Sequence, residues 1–225
     1  FLHLVAGIVH PLADSEAHAQ DFFLPGRQRG QDLPGLFRQI HADGRLGRRH
    51  DLLVCSRELK FKGLRLYPQY HDYEITDPAC IDMVRCARDE GMVIALTVRM
   101  VDSRLRSWMD LSSEWILKDV IPLIREVPDA RYMILNVSGG IMLNDEDTAL
   151  IRGTDMIFDT SGRNISDLGS LLKKYGNDKF AFGTHSPMLD YLTGLLRIEA
   201  LADNEADEST REMLRSGNAK RLLGI

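Results

Sequence analysis

Residues able to move protons or hold anions recur in this chain at one kind of place, the C-terminal end of a short apolar run. His10, Arg65, His71, Thr97, Arg99, Asn136, Asp159 and His185 all fall at or just after such an end. Imidazole titrates near neutrality, so His71 and His185 are candidates for general acid and base. Asp159 joins them as a catalytic candidate. Arg65 and Arg99 can each clamp a carboxylate through two parallel N–H donors. Arg99 lies two residues beyond Thr97, on the same strand face if that strand continues. Thr97, Asn136 and His10 complete the substrate-binding candidates.

Each of these residues has a plainer reading. His71, between Tyr70 and Tyr73, can simply donate to a backbone carbonyl in an aromatic loop. His10 before Pro11 can be a strand-end residue, and Asp159 can cap the loop after its own strand. Arg65 can sit in a buried ion pair. Asp145, Glu146 and Asp147 fit the first turn of a helix, where the dipole favours anions, and Asp203 to Glu208 fits a solvated turn. Trp108 and Trp115 flank a helix start; a lid is one reading, but Trp115 at helical spacing reads as core.

The elements that must place these residues follow one rhythm. From Lys60 onward, short apolar strands alternate with longer helical patterns, as in βαβ units around a parallel sheet. Strands are expected at 61–67, stopped by Pro68, and at 92–98, 131–137, 155–160 and 180–183. Leu4 to Val9 reads as one more. Asp77-Pro78 opens a helix striped by Ile81, Val84 and Ala87 and closed by Gly91. Leu111 to Val127 reads as a helix bent at Pro122. Ser166 is expected to cap a helix carrying Leu168, Leu171, Leu172 and Tyr175. A long helical region with an acidic break runs to Ile225. The stretch 17–50, rich in Arg, Gln and Gly, shows no sustained period and reads as an atypical loop or insertion, with a short helix around Leu33 to Ile40 as an option.

Composition bounds the rest. The chain has 225 residues, 44% hydrophobic and 27% charged, with a formal net charge of −5. It is long enough for one domain of barrel size spanning 1–225. The negative balance gives no reason to expect nucleic acid or an anionic membrane as partner. No apolar run approaches the roughly 20 residues needed to span a bilayer. No signal peptide is visible. Cys55, Cys80 and Cys86 lack metal-type spacing and read as reduced thiols of a cytoplasmic protein. The chain opens at Phe1, inside an apolar run, so a natural start upstream is the expectation.

Several segments resemble the amidohydrolase-related family, the group that includes aminocarboxymuconate-semialdehyde decarboxylase and related hydrolases. Lys62-Gly63-Leu64-Arg65-Leu66-Tyr67-Pro68 with Tyr70-His71-Asp72-Tyr73 is similar to that family's fourth strand and loop. Phe158-Asp159-Thr160-Ser161 resembles its seventh strand. Phe180-Ala181-Phe182-Gly183-Thr184-His185-Ser186-Pro187 resembles its eighth, which usually ends in Gly-Ser-Asp-x-Pro. Gly217-Asn218-Ala219-Lys220-Arg221-Leu222-Leu223-Gly224 matches its closing helix almost letter for letter.

The resemblance implies a (β/α)8 TIM-barrel-like α/β fold with the site at the strand C-termini. Strands three to eight are recognisable; the N-terminal strands are missing or atypical, and an incomplete barrel would expose sheet edges. A homo-oligomeric or interdomain cover is one way to close the gap. The family's metal positions are replaced: Thr97 on the fifth strand, Asn136 on the sixth, His185 for the Asp on the eighth, and no His-x-His anywhere. Thr and Asn are poor ligands for a divalent ion. The expectation is therefore no cofactor, zinc included. The function expected is a metal-independent hydrolase of the lactonase type, or a lyase, acting on a small carboxylated substrate. Two alternatives stay open: a non-catalytic paralogue that binds a small ligand, and a metal-dependent hydrolase with a rebuilt site at His10, His71 and His185.

Overall fold

A computed structural model describes residues 4–5, 8–9, 46–68, 73–98, 115–137, 141–161, 167–184 and 190–225. Five strands form one parallel sheet in chain order: β3 (Gly63–Leu66), β4 (Val93–Thr97), β5 (Arg131–Leu135), β6 (Met156–Asp159) and β7 (Phe180–Ala181). Between them run α2 (Pro78–Asp89), α3 (Leu117–Glu126), α4 (Asp145–Gly153) and α5 (Leu168–Tyr175). Each strand is followed by a helix and then by its own neighbour in the sheet, the sequential order of a (β/α) barrel wall.

Strand alternation separates two apolar clusters. Ile94, Leu96, Val98, Tyr132, Ile134, Phe158 and Phe180 point outward, into a core with helix residues such as Val84, Ala87, Val120, Ile124, Ile151 and Leu171. Val93, Ala95, Met133, Leu135, Ile157 and Ala181 point the other way and meet Leu222 and Leu223. The period of 2 along each strand requires this division. Register then sets the site, because Arg65 pairs with Ala95 and shares its inward face, as does Thr97 two residues on.

The helices form where the pattern of 3.6 and the caps agree. In α2, Pro78 supplies the first position and Ile81, Val84 and Ala87 are buried as the stripe requires. Gly91 turns the chain into β4 at φ +68°. In α4 the Asn144 side chain accepts the Asp147 N–H, and Asp145, Glu146 and Asp147 fill the first turn. Pro122 lies within α3, on an exposed position between Ile121 and Leu123.

Several boundaries differ from the sequence expectation. Leu46–Leu53 forms a helix (α1), so the last residues of the expected loop at 17–50 are helical. A π-helical segment, Val54–Glu58, continues it, and Arg57 locks that segment to the end of α2 through Glu90 at 2.6 Å and 2.9 Å. The expected single strand at Leu4–Val9 is two short antiparallel strands, β1 (Leu4–Val5) and β2 (Ile8–Val9), pairing Leu4 with Val9. Asp167, one residue after Ser166, occupies the cap position of α5 and accepts the Ser170 N–H. The C-terminal region divides into α6 (Tyr191–Glu199), α7 (Glu208–Glu212), a π-helical segment at Met213–Gly217, and α8 (Asn218–Leu223). Asp207, within the acidic break, caps α7 by accepting the Thr210 N–H at 2.8 Å.

Candidate active site

On the inward face, at the C-terminal strand ends, β3 and β4 present a half-buried arginine clasped to a threonine. Arg65 Nε and Nη2 both donate to Thr97 Oγ1, at 2.9 Å and 2.6 Å. Its guanidinium carbon lies 5.0 Å from the Tyr67 ring centroid, a cation–π distance. Burial pulls the Arg65 pKa below its ordinary value, while the Tyr67 hydroxyl and the Asp159 charge act the other way. An arginine stays protonated in any protein. A partly desolvated cation thus faces the mouth with a hydroxyl and a ring as its close partners, and among the described residues no carboxylate reaches salt-bridge distance of it.

Asp159 ends β6 on the same face. One carboxylate oxygen accepts the Asn136 backbone N–H at 2.7 Å, and the other accepts the Ser161 hydroxyl at 2.7 Å. Asn136 adopts φ +54°, a left-handed conformation that Asn tolerates better than most side chains. Gly183, just past β7, closes the arrangement: a Cβ there would lie 2.7 Å from Asp159 Oδ2 and 2.8 Å from its Cβ. The Gly183 N–H in turn donates to Thr160 Oγ1 at 3.2 Å. From α6, Arg197 donates through Nη1 to the Thr160 carbonyl. Burial lowers the Arg197 pKa too, and the Asp159 charge again opposes that. Two partly desolvated guanidiniums therefore feel one carboxylate, which leaves the described part of the mouth with positive excess.

Four of the residues singled out from sequence are brought together here: Arg65, Thr97, Asn136 and Asp159. Thr97 serves as the acceptor for Arg65, and the Asn136 main chain as a donor to Asp159. His10, His71, Arg99 and His185 lie outside the described residues, as does Trp108. Trp115 packs against the outer core, and its backbone N–H donates to the Val98 carbonyl at 3.3 Å. Ser161, Gly183 and Arg197 were not singled out. Ser161, two residues after Asp159, carried a readable signal, since Asp and Ser so spaced often bond across a turn. Arg197, inside an apolar helical stripe, carried none.

A divalent ion is not accommodated by the described donors alone. Among the described residues no group of three His, Cys, Asp or Glu converges. Asp159, at the described end of β6, already accepts two hydrogen bonds and sits in the field of two arginines.

No family model matches the sequence, and no curated protein sequence matches it. Solved structures do match its fold. The chain is similar to 5-carboxyvanillate decarboxylase from Sphingomonas paucimobilis, with a TM-score of 0.61 and 13% identity over 85% of this chain and 71% of that one. An amidohydrolase-type protein from Staphylococcus aureus gives 0.59 and 14% over 79% and 69%. The 5-carboxyvanillate decarboxylase of Novosphingobium aromaticivorans, solved with manganese and 4-hydroxy-3-methoxy-5-nitrobenzoic acid, gives 0.58 and 10% over 80% and 61%.

The likeness carries the amidohydrolase resemblance at the level of the fold, a (β/α) barrel of that type. It also corrects the expectation of no cofactor, because a neighbour in this fold was solved with a divalent ion. The reason is physical: such an ion draws ligands from several strands, so Thr97 and Asn136 at two strand ends do not decide the question for the mouth as a whole. Among the described residues, no helix is long and apolar enough to cross a membrane.

Proposed function

We propose that this chain is a carboxy-lyase of the amidohydrolase barrel type, acting on a small carboxylated substrate whose carboxylate is held by Arg65. The observation that carries the reading is the half-buried Arg65 guanidinium, clasped by Thr97, with no carboxylate of the described residues at ion-pair distance. A cation drawn partly out of water is stabilised by an anion or strong acceptors that answer it. A substrate carboxylate answers it bidentately, through the donors that Thr97 does not use. The decarboxylases among the fold neighbours support the same reaction class.

In this scheme Thr97 fixes the tilt of the guanidinium, and Arg65 fixes the substrate against the inward face. The bond from carbon to the departing carboxylate breaks, its electron pair stays on carbon, and carbon dioxide leaves. A proton then reaches that carbon from a site acid, for which His71 and His185 are the candidates. Asp159, anchored by Asn136 and Ser161, supplies a fixed negative charge near both arginines. No step here is routed through a metal.

The test is carbon dioxide release and product formation on a panel of hydroxybenzoates and benzenedicarboxylates, with and without added manganese. Turnover of at least one compound is expected, with Arg65→Met lowering kcat/KM at least 100-fold and Arg65→Lys restoring part of it, since lysine keeps the charge but not the fork. Saturable binding of these compounds without turnover, in either metal condition, would instead make the chain a non-catalytic ligand-binding barrel. Turnover unaffected in Arg65→Met would remove the anchor.

A further inference from the structure

The outer edge of the last strand, β7, should be a liability, because an edge strand presents unpaired N–H and C=O groups. In a parallel ladder, alternate residues face opposite neighbours. The Thr160 N–H donates to the Ala181 carbonyl at 2.9 Å, so Ala181 faces β6. Phe180 and Phe182 therefore turn their backbone groups outward, to the side where a barrel would place its next strand.

Those groups are already taken by the C-terminal segment. The Phe182 N–H donates to the Leu214 carbonyl at 2.7 Å. Asn218 Nδ2 donates to the Phe180 carbonyl at 2.8 Å and to the Asn177 carbonyl at 2.7 Å. Asn218 is only 3% exposed. One side-chain amide thus satisfies two backbone acceptors at the base of β7. From the same segment, Leu222 and Leu223 fill the inward face against Val93, Ala95, Met133, Ile157 and Ala181. Arg131 at the start of β5 donates to the Leu222 carbonyl at 2.9 Å, and Arg221 pairs with Asp155 just before β6. The segment is fastened across three consecutive strands, chiefly at their N-terminal ends.

We propose that Met213–Leu223 is a wall element in its own right: it stands where a closing strand would pair with β7, and by holding the Phe180 carbonyl and the Phe182 N–H it closes that edge to strand pairing with a second copy of the chain. A strand laid there would need the Phe180 carbonyl and the Phe182 N–H, and it would have to displace a buried asparagine and a leucine carbonyl to reach them. Among the described strands of this sheet, the edge left for strand pairing is that of β3. The Val93 N–H donates to the Lys62 carbonyl at 2.9 Å, so Lys62 and Leu64 face β4 while Gly63 and Arg65 turn their main chain away from it.

The decisive measurement is the scalar coupling across hydrogen bonds in the deuterated full chain. A coupling between the Phe182 amide nitrogen and the Leu214 carbonyl carbon is expected; a coupling from Phe182 to any other carbonyl overturns the proposal. Amide exchange supplies a second reading. Asn218→Asp keeps the side-chain shape and removes both donors. It should speed exchange at Phe182 at least tenfold while leaving Ile94 and Ile134 unchanged. Unchanged Phe182 protection in a folded Asn218→Asp also overturns it, and if that variant fails to fold, the coupling in the native chain decides alone. Neither readout depends on activity, so the outcome is separate from the reaction proposed above.

Discussion

Gly183 and Asp159 carry the residue-scale argument, because two strands meet there with no room to spare. A Cβ on Gly183 would sit 2.7 Å from Asp159 Oδ2, 2.8 Å from its Cβ and 3.0 Å from its Cγ. Only the first of these atoms is the end of a side chain, and it is held by the Ser161 hydroxyl. Asp159 cannot swing away without also giving up the Asn136 N–H at 2.7 Å. Gly183→Ala should therefore cost about 1–3 kcal/mol, the usual range for overpacking. Thermal unfolding checks this, and an unchanged midpoint would mean that Asp159 relocates freely. The residue types at the strand ends were legible in the sequence: Arg65, Thr97, Asn136 and Asp159 do share one end of the sheet. Their partners were less so. That Thr97 accepts from Arg65, or that Gly183 must be small for Asp159, depends on register between strands, which no single segment encodes.

The helical stripe was legible in α2, where Ile81, Val84 and Ala87 are buried although the Asp77 side chain makes no cap bond, and was lost where composition masked the period. The region around Leu46–Leu53 is rich in Arg and Gly, and its helix is held by contacts made elsewhere, including Leu52 in the outer core and the Arg57–Glu90 pair beyond its end. Two helical glycines give a prediction of opposite signs. Gly153 ends α4, and nothing lies within 4 Å of the place a methyl would take, so Gly153→Ala should stabilise the chain by about 0.4–1 kcal/mol through helix propensity and a less flexible unfolded state. Gly194 lies inside α6, where a Cβ would stand 2.9 Å from the Gly183 carbonyl and 3.3 Å from the Phe182 ring. The same propensity gain of about 1 kcal/mol is available there. A backbone carbonyl cannot yield as a side-chain end can, so the clash, about 1–3 kcal/mol, outweighs it. Urea midpoints of the two variants should move in opposite directions; a common direction would mean that α6 does not press on the end of β7 as described.

At the scale of the whole molecule, the three thiols and the buried phenols set how stability responds to alkali. Cys55, Cys80 and Cys86 are free, and burial raises the pKa of each. Cys80, only 2% exposed within the outer core, is pushed up to about 12, with the Asp77 charge adding to the effect of burial. Tyr132, whose hydroxyl donates to the Val127 carbonyl at 2.7 Å, is pushed up as well, again chiefly by burial. The folded state therefore holds these protons more tightly than the unfolded chain does. A thiol ordinarily titrating at 9.0 leaves its proton in the unfolded state first. The contribution is fully present below pH 9 and is lost as pH climbs from there towards 12, because the unfolded chain then binds fewer protons than the folded one. The slope for one such group approaches about 1.4 kcal/mol per pH unit inside that window. Urea midpoints measured at pH 7.5, 9 and 10.5 should hold level over the first interval and fall over the second. Cys80→Ala should be less stable at every pH, from the cavity it leaves, yet should show a shallower fall between pH 9 and 10.5. The slope, not the offset, carries the argument: a Cys80→Ala chain that falls as steeply as the native one would mean that the Cys80 proton is not what the folded core protects.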